Sequence, residues 1–235
     1  MAIVFMPSLL RQPWALWASQ LWTRMVLWGL KVICGIDEKV SGQQHLPPGP
    51  ALIAAKHQSM WETVYLASTL PHPSFVLKKE LGRIPIFGWW CARSGYIFVD
   101  RDAGAKALRK MVGEAKKAFD RGASHIIIFP EGTRTAVGDT VPFQPGVAAL
   151  AKALNVPILP VAHNSGGYWQ HHTNLKVPGT IHLEYLPPME EGLSRTELMA
   201  QLQNRIETTT QKLMAEADDA LAMTKEAHAH DHHPA

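Results

Sequence analysis

Cysteine and charge are both scarce in this chain. Only two of its 235 residues are cysteines, Cys34 and Cys91, and they do not form a CxxC pair. A disulfide-stapled fold is therefore not expected, and a reducing compartment suits the sequence. Charged residues make up 18% of the chain and hydrophobic residues 46%, a low charged share for a freely soluble protein. The length suits one domain with a substantial buried core.

Acidic residues and long apolar runs are missing from the N-terminal segment. No acid precedes Asp37, although Arg11, Arg24 and Lys31 do. The longest uncharged stretch there, residues 12–23, is too short to cross a bilayer core of about 30 Å. The interrupting charges also fit a cleavable signal peptide poorly. Over the whole chain the net charge is only +3, too weak a bias to indicate nucleic acid as a partner.

Tryptophan is concentrated where acid is lacking. Apolar side chains recur there at steps of three and four, which is the helical period. They are Trp14, Trp17, Leu21, Met25, Trp28 and Val32. Tryptophan favours the headgroup boundary and cations suit anionic lipid, so residues 1–40 are predicted to form an amphipathic, membrane-associating helical segment. The alternative is an ordinary helix that packs against the protein core.

Beyond a proline-rich and glycine-rich breaker at residues 42–50, strand and helix patterns alternate. Strands are predicted at 51–55, 75–77, 96–99, 125–129, 157–161 and 180–186, and helices at 61–70, 108–122 and 147–154. A capping box at residues 194–197 opens a last helix. The pattern predicts an α/β domain over residues 41–215, with a largely parallel mixed sheet covered by helices. Residues 216–235, rich in histidine, are predicted to be a disordered tail that binds metal at most adventitiously.

A histidine and an acid stand close together after the first predicted strand of this domain. His57 and Glu62 are five residues apart, and on one continuous helix they would point about 140° away from each other. They meet only if His57 lies on the turn and Glu62 in the first turn of the helix. The pair would then form a base whose tautomer is fixed by the acid. Spacing alone also allows an ordinary polar histidine and a glutamate that favours the helix dipole.

Two further strand ends carry arginine. The sequence Phe-Pro-Glu-Gly-Thr-Arg, residues 129–134, follows one strand, and Arg101 follows another. Ligands collect beyond the carboxyl ends of strands in α/β folds, and Arg134 is suited to bind a phosphate through two hydrogen bonds. The alternative is surface ion pairing of Arg134 with Glu131 and of Arg101 with its neighbouring aspartates. Ser59 is a weak candidate nucleophile, because no nucleophile elbow surrounds it.

Taken together, these blocks resemble the glycerolipid acyltransferase family, especially the bacterial 1-acylglycerol-3-phosphate acyltransferases. Four blocks appear in the family's order: His57 with Glu62, Gly-Tyr-Ile-Phe-Val-Asp-Arg at 95–101, Phe-Pro-Glu-Gly-Thr-Arg at 129–134, and Val-Pro-Ile-Leu-Pro-Val at 156–161. Residues 79–81 and 84–88 match the stretch between the first two blocks. The resemblance covers roughly residues 40–190.

The resemblance implies a chemistry and a place for it. His57 is implied as the catalytic general base and Glu62 as its orienting acid. The implied substrate-binding residues are Lys79, Arg101, Glu131, Gly132, Thr133 and Arg134. The implied acceptor is a lysophospholipid, and the donor is acyl-CoA or acyl carrier protein. Neither a cofactor nor a metal is implied. The implied location is the cytoplasmic face of the bacterial inner membrane, on its lipid surface.

One departure from the family pattern concerns the acid, because the family usually has aspartate where this chain has Glu62. Because of this extra methylene the identity of the acceptor substrate is left undecided, whereas the expected reaction type is unaffected. Alternatives are the same chemistry on glycerol-3-phosphate or a lyso-aminolipid, hydrolysis with water in place of the lipid hydroxyl, and a non-catalytic membrane protein that binds anionic lipid. The last of these has no use for the histidine–acid pair.

Overall fold

A computed structural model describes residues 12–100, 104–170, 173 and 175–230, with the side chains of Gln12 and of residues 218–230 left out. Its strands are β1 (Ile36–Ser41), β2 (Ala51–Ala55), β3 (Pro73–Lys78), β4 (Ile97–Val99), β5 (His125–Ile128), β6 (Ile158–His163) and β7 (Gly179–Tyr185). Its helices are α1 (Gln12–Cys34), α2 (Trp61–Thr69), α3 (Phe87–Arg93), α4 (Gly104–Asp120), α5 (Gly146–Leu154) and α6 (Arg195–His230).

The strands form one seven-stranded sheet in the order β1-β7-β6-β2-β5-β3-β4. Every neighbouring pair is parallel except β6 and β7. The sequence prediction of a largely parallel mixed sheet is therefore confirmed. Strands β2, β3, β4, β5 and β6 run in the same direction, so their carboxyl ends share one edge of the sheet. That edge carries most of the candidate site residues.

Alternate residues of the central strands fill two cores, one on each face of the sheet. Leu52 and Ile126 belong to a core closed by α4, α5 and α6, while Ile53 and Ile127 belong to a core closed by α1 and α2. Strands buried on both faces read as continuous apolar runs, which is why β2 and β5 were predictable from the sequence. The result is three layers with the sheet in the middle.

Two elements were not predicted. Strand β1 reads Ile-Asp-Glu-Lys-Val-Ser, and only Ile36 in it is buried. It is an edge strand paired with β7 alone, so no apolar alternation marks it in the sequence. Helix α3 is a short, tryptophan-containing segment of seven residues, too short to show a helical period.

The C-terminal region also differs from the expectation. The backbone of α6 is helical as far as His230, where a disordered tail was expected from residue 216. Alanine is the most frequent residue of this part, with five of the fifteen positions from 216 to 230, and alanine is the strongest helix former even without a core to pack on. A segment without core residues is not expected to pack on the rest of the protein, but it can still be helical. The division of the chain into three segments stays a prediction.

Helix α1 turns its tryptophans outward. Trp14, Trp17 and Trp28 are 52%, 61% and 66% exposed, whereas the small residues Ala15 and Ala18 are buried against the body of the protein. The apolar stripe is therefore not the face that packs on the core, which was the alternative open at the level of sequence. No helix within the described ranges is both long and apolar enough to cross a membrane.

Candidate active site

The candidate site lies where the parallel strands end. His57 follows β2, Lys79 follows β3, Asp100 follows β4, Glu131 follows β5 and Ser165 follows β6. The carboxyl edge of an open α/β sheet is where ligands bind, because the loops that leave it converge there. The topology thus brings together residues that are up to about a hundred positions apart in sequence.

His57 and Glu62 meet across the turn that joins β2 to α2. The Nδ1 atom of His57 lies 2.8 Å from Oε1 of Glu62. Glu62 sits in the first turn of α2 and its side chain is completely buried, while that of His57 is 16% exposed. An ionised carboxylate can only accept hydrogen bonds, so Nδ1 of His57 carries the proton and Nε2 is the nitrogen with an acceptor lone pair.

The Glu62 carboxylate is held by four further donors. The backbone N–H groups of Gln58 and Ser59 donate to its Oε1, both at 2.9 Å. Its Oε2 accepts the hydroxyls of Ser59 at 2.8 Å and Ser165 at 2.9 Å. These bonds fix the carboxylate in one position, and the imidazole is fixed with it.

The donors explain why Glu62 is ionised although it is buried. Burial by itself raises the pKa, but His163, His57 and the Ser59 N–H act against it and hold the pKa at about 2, below the ordinary 4.5. Burial also lowers the pKa of His163. Its Nε2 bonds to the Lys56 carbonyl at 2.8 Å and its Nδ1 accepts the Ser165 N–H at 3.3 Å, as in a neutral imidazole. We therefore attribute the low pKa of Glu62 mainly to hydrogen bonds.

The turn that carries Phe-Pro-Glu-Gly-Thr-Arg wraps around the backbone of His57. The N–H of His57 donates to Oε1 of Glu131 at 3.1 Å, and its carbonyl accepts the N–H of Thr135 at 2.9 Å. Gly132 makes the turn possible with a φ of +73°, a left-handed conformation that glycine adopts without steric cost. The imidazole also stacks on the Phe129 ring, with centroids 3.9 Å apart. The His57–Glu62 pair and the Phe-Pro-Glu-Gly-Thr-Arg turn therefore form one structural unit.

Glu131 is buried beside a lysine instead of pairing with Arg134. Its Oε1 lies 3.4 Å from Nζ of Lys56, and both side chains are at most 1% exposed. Lys56 also donates to both carboxylate oxygens of Glu207 on α6, at 2.8 and 2.9 Å. Burial raises the pKa of Glu131 to about 7, against the lowering effect of Lys56. The ion pairing of Glu131 with Arg134 that the sequence left open is thus replaced by a buried contact with Lys56.

The remaining candidates lie around the same edge. Lys79 bonds to Asp100, and both line a cleft of about 380 Å³ with Lys106 and Lys110 of α4. Arg101 lies outside the described residues. Thr133 is exposed, and Arg134 and Gly132 are partly exposed. A larger cavity of about 1010 Å³ lies at the opposite end of the sheet, and none of the candidate site residues lines it.

Sequence reasoning missed four contributors: Lys56, His163, Ser165 and Glu207. Lys56 had one available signal, a single cation that ends an apolar strand next to the candidate base. The expectation that ligands collect at the carboxyl ends of strands, applied above to the arginines, would also have pointed to His163 and Ser165, because they lie at and just beyond the end of β6. Nothing in the sequence marks Glu207, because its partner Lys56 is 151 residues away. Over the described ranges, no cluster of three or more His, Cys, Asp or Glu side chains is placed to hold a metal ion.

The tautomer of His57 provides a test that does not depend on catalysis. In ¹⁵N-labelled protein at neutral pH, we expect the His57 ring to show the Nδ1–H tautomer as the dominant neutral form. In Glu62→Gln the fixed acceptor charge is gone, so the two tautomers should become mixed. His45, whose Nδ1 bonds to the Tyr185 carbonyl, is the internal control and should not change. An unchanged His57 signal in the variant would show that Glu62 does not orient the ring.

Comparison with known proteins agrees with this geometry. The family model described as Acyltransferase matches residues 37–164. The 1-acyl-sn-glycerol-3-phosphate acyltransferase of Pseudomonas aeruginosa is 38% identical over 197 residues, which is 84% of this chain and 76% of the relative. The mouse enzyme 1-acyl-sn-glycerol-3-phosphate acyltransferase alpha is 31% identical over 75% of this chain, and the match spans 64% of the mouse protein, a little under two thirds.

A solved structure supports the fold. The crystal structure of a 1-acyl-sn-glycerophosphate acyltransferase from Thermotoga maritima superimposes with a TM-score of 0.72 at 22% identity, covering 87% of this chain and 81% of that one. At this identity the likeness shows the fold alone, while the family model and the Pseudomonas relative show the family. The histidine–acid pair, the Phe-Pro-Glu-Gly-Thr-Arg turn and the sheet that unites them are thus parts of a chain that belongs to the acyltransferase family.

Proposed function

We propose that this protein transfers a fatty acyl group from an acyl thioester to the free hydroxyl of 1-acylglycerol-3-phosphate, which gives phosphatidate. The relatives named for this reaction come from bacteria, yeast and mammals. The observation that carries the proposal is the 2.8 Å bond between His57 Nδ1 and Glu62, held in place by the Glu131 turn. It provides an oriented base at the sheet edge that also carries Lys79 and the turn with Arg134.

The reaction follows from the orientation of the imidazole. Nε2 of His57 takes the proton of the acceptor hydroxyl as that oxygen attacks the thioester carbonyl carbon. The carbon–sulfur bond then breaks, and the departing sulfur takes the proton from the imidazolium to leave as a thiol. Glu62 stabilises the positive imidazole between the two steps. A positioned base of this kind contributes about 10²–10⁴-fold, and alignment of the two substrates supplies much of the rest.

Cations near the sheet edge are the proposed site for the acceptor's phosphate. Arg134 belongs to the turn that binds the His57 backbone, and Lys79 stands at the end of β3. Arg101 is proposed with them on the resemblance alone. A guanidinium holds a phosphate through two hydrogen bonds, which fixes its orientation. Gly132 and Thr133 are proposed to contact the glycerol part, and the donor is proposed to be acyl-CoA or acyl carrier protein. The Glu131 side chain is buried, so its part in substrate binding is proposed to be indirect, through the turn and the backbone of His57.

Glycerol-3-phosphate and a lyso-aminolipid remain alternative acceptors for the same chemistry. The buried aromatic surroundings of His57 favour a lipid over water as the attacking group, because Phe129 covers one face of the ring. An assay of purified protein in detergent, with a labelled acyl donor and a panel of lysolipids, separates these outcomes. Free fatty acid as the sole product, with or without lysolipid, would indicate hydrolysis and refute the proposal.

The outer face of α1 is proposed to lie on the membrane surface. Its exposed tryptophans are joined by Trp89 of α3, which is 61% exposed, and by the exposed Ile84 and Phe87. The two helices are connected by a 3.2 Å hydrogen bond from Trp90 Nε1 to the Ala15 carbonyl. An exposed apolar surface of this kind indicates an interaction site, and tryptophan suits the lipid interface. The cytoplasmic face of the inner membrane is the proposed location.

His57→Ala is expected to reduce kcat by at least about 10²–10⁴-fold, because the acceptor proton then has no positioned base. His72→Ala is the matched control, since His72 precedes the amino-terminal end of β3, at the edge of the sheet opposite the strand ends that carry the site. Steady-state turnover of labelled donor with 1-acylglycerol-3-phosphate is the measurement. Wild-type rates in His57→Ala would show that the mechanism is wrong.

Arg134→Ala is expected mainly to raise the apparent KM for the lysophosphatidate acceptor, by about tenfold or more, because a charged hydrogen-bond donor contributes about 1.5–3 kcal/mol. The KM for the acyl donor should change little. Arg121→Ala, an exposed arginine beyond the end of α4, is the control. If the KM for the donor rises and that for the acceptor does not, the phosphate assignment of Arg134 is wrong.

Replacing both Trp17 and Trp28 by serine is expected to weaken binding to anionic lipid vesicles by about 10²-fold, from about 1.5 kcal/mol or more lost per side chain. Sedimentation with vesicles measures the bound fraction. Leu175→Ser, at an apolar position 58% exposed elsewhere on the surface, is the control. Unchanged sedimentation of the double variant would remove α1 from the membrane contact.

A further inference from the structure

A buried charge cluster lies directly behind the candidate base. Lys56 immediately precedes His57 and is only 1% exposed. Its Nζ lies between two acids, Glu131 on the turn after β5 and Glu207 on α6. Its backbone is also fixed, because its N–H donates to the Val161 carbonyl at 2.9 Å and its carbonyl bonds to His163. The ammonium therefore has a single, well-defined position.

The two acids share this one cation unequally. Glu207 receives both short contacts, at 2.8 and 2.9 Å, whereas Glu131 is 3.4 Å away. Oε1 of Glu131 accepts the His57 N–H, but its buried Oε2 has no hydrogen-bond partner among the described residues. With both acids ionised the cluster carries one net negative charge in a buried place, which is costly without further compensation. Glu207 thus draws the ammonium away from Glu131.

We propose that Glu207, on the C-terminal helix, is a positioning residue for the acyl transfer. It holds Lys56 and thereby sets both the position and the charge of the Glu131 carboxyl that binds the backbone of His57. This inference rests on the proposed function only for its kinetic readout. It makes α6 part of the active-site architecture, although the family model match ends at residue 164 and α6 begins at Arg195.

The direction of the electrostatic effect follows from the groups around Glu131. Lys56 is the cation that faces it, and Glu207 is the competing anion from α6. Behind them lie His163 on β6, which is hydrogen-bonded as a neutral ring, and Glu62 on α2, whose charge is taken up by its own donors. Arg134 follows on the same turn as Glu131. Of these, Lys56 and Glu207 form the ion pairs beside the Glu131 carboxyl, and neither takes part in the His57–Glu62 bond.

Glu207→Gln and Lys56→Met should move the titration of Glu131 in opposite directions. In Glu207→Gln the ammonium has only Glu131 to neutralise, so the ionised carboxylate is favoured and its pKa falls. In Lys56→Met the cation is lost and Glu207 repels a second anion, so the pKa of Glu131 rises. A close charge shifts a carboxyl pKa by about 1–3 units, so each shift should be about one pH unit or more. Glu216→Gln, an exposed position on the same helix, should shift nothing.

Two measurements test this. The first is the pH profile of kcat/KM for acyl transfer, in which the limb set by Glu131 should move to lower pH in Glu207→Gln and to higher pH in Lys56→Met. The second is the infrared band of the protonated Glu131 carboxyl, followed over pH and assigned by its loss in Glu131→Gln. Glu207→Asp keeps the charge and should return the profile towards wild type. A positioning residue moves these values, whereas looser packing lowers activity without moving them.

The outcomes are distinguishable. If wild-type protein transfers no acyl group to any lysolipid, the proposed function fails, while the infrared titration still tests the role of Glu207. If Glu207→Gln leaves both the band and the limb where they are in wild type, the inference is overturned. Shifts of the same sign in Glu207→Gln and Lys56→Met would overturn it equally. If Lys56→Met fails to fold, the comparison of Glu207→Gln with Glu207→Asp tests the inference, which requires a shift in the first variant and a return towards wild type in the second.

Discussion

The carboxylate of Glu62 is the group on which the candidate active site depends. It is completely buried and ionised, which is possible only because N–H and O–H donors from several segments converge on it. The same bonds orient the His57 ring, close the turn into α2 and connect α2 to the loop after β6. A change that removes one donor therefore acts on the imidazole even if it lies on another strand.

The sequence predicted those features that depend on residues close together in the chain, and missed those that depend on contacts between distant residues. Strands β2 and β5 are continuous apolar runs, and the spacing of His57 and Glu62 is local, so both were readable. The Ser165 contact depends on which strand ends become neighbours, and the contact between Lys56 and Glu207 depends on which helix packs beside the end of β2. A single sequence does not contain that information. The exposed edge strand β1 was missed because half-buried edges leave no periodic pattern.

The longer acid at position 62 has a place in the structure. Its Oε1 reaches the imidazole at 2.8 Å and at the same time accepts the N–H groups of Gln58 and Ser59, so the extra methylene is accommodated within the turn. Helix α1 packs on the helix that carries Glu62, and the Gln20 amide donates to the Leu70 carbonyl at 2.9 Å. Only the thickness of α1 and α2 therefore separates the tryptophan face proposed to contact lipid from the proposed catalytic pair His57 and Glu62.

Two buried carboxyl groups at one sheet edge have been given opposite environments. Glu62 accepts hydrogen bonds at both of its oxygens, and its pKa is about 2. One oxygen of Glu131 has no hydrogen-bond partner among the described residues, the other lies 3.4 Å from the Lys56 ammonium, and burial raises its pKa to about 7. Environments that separate the pKa values of neighbouring acids also separate their roles. Glu62 remains an anion at every working pH and orients the base. Glu131 changes charge near neutrality, and because it binds the N–H of His57, its ionisation is felt at the base itself.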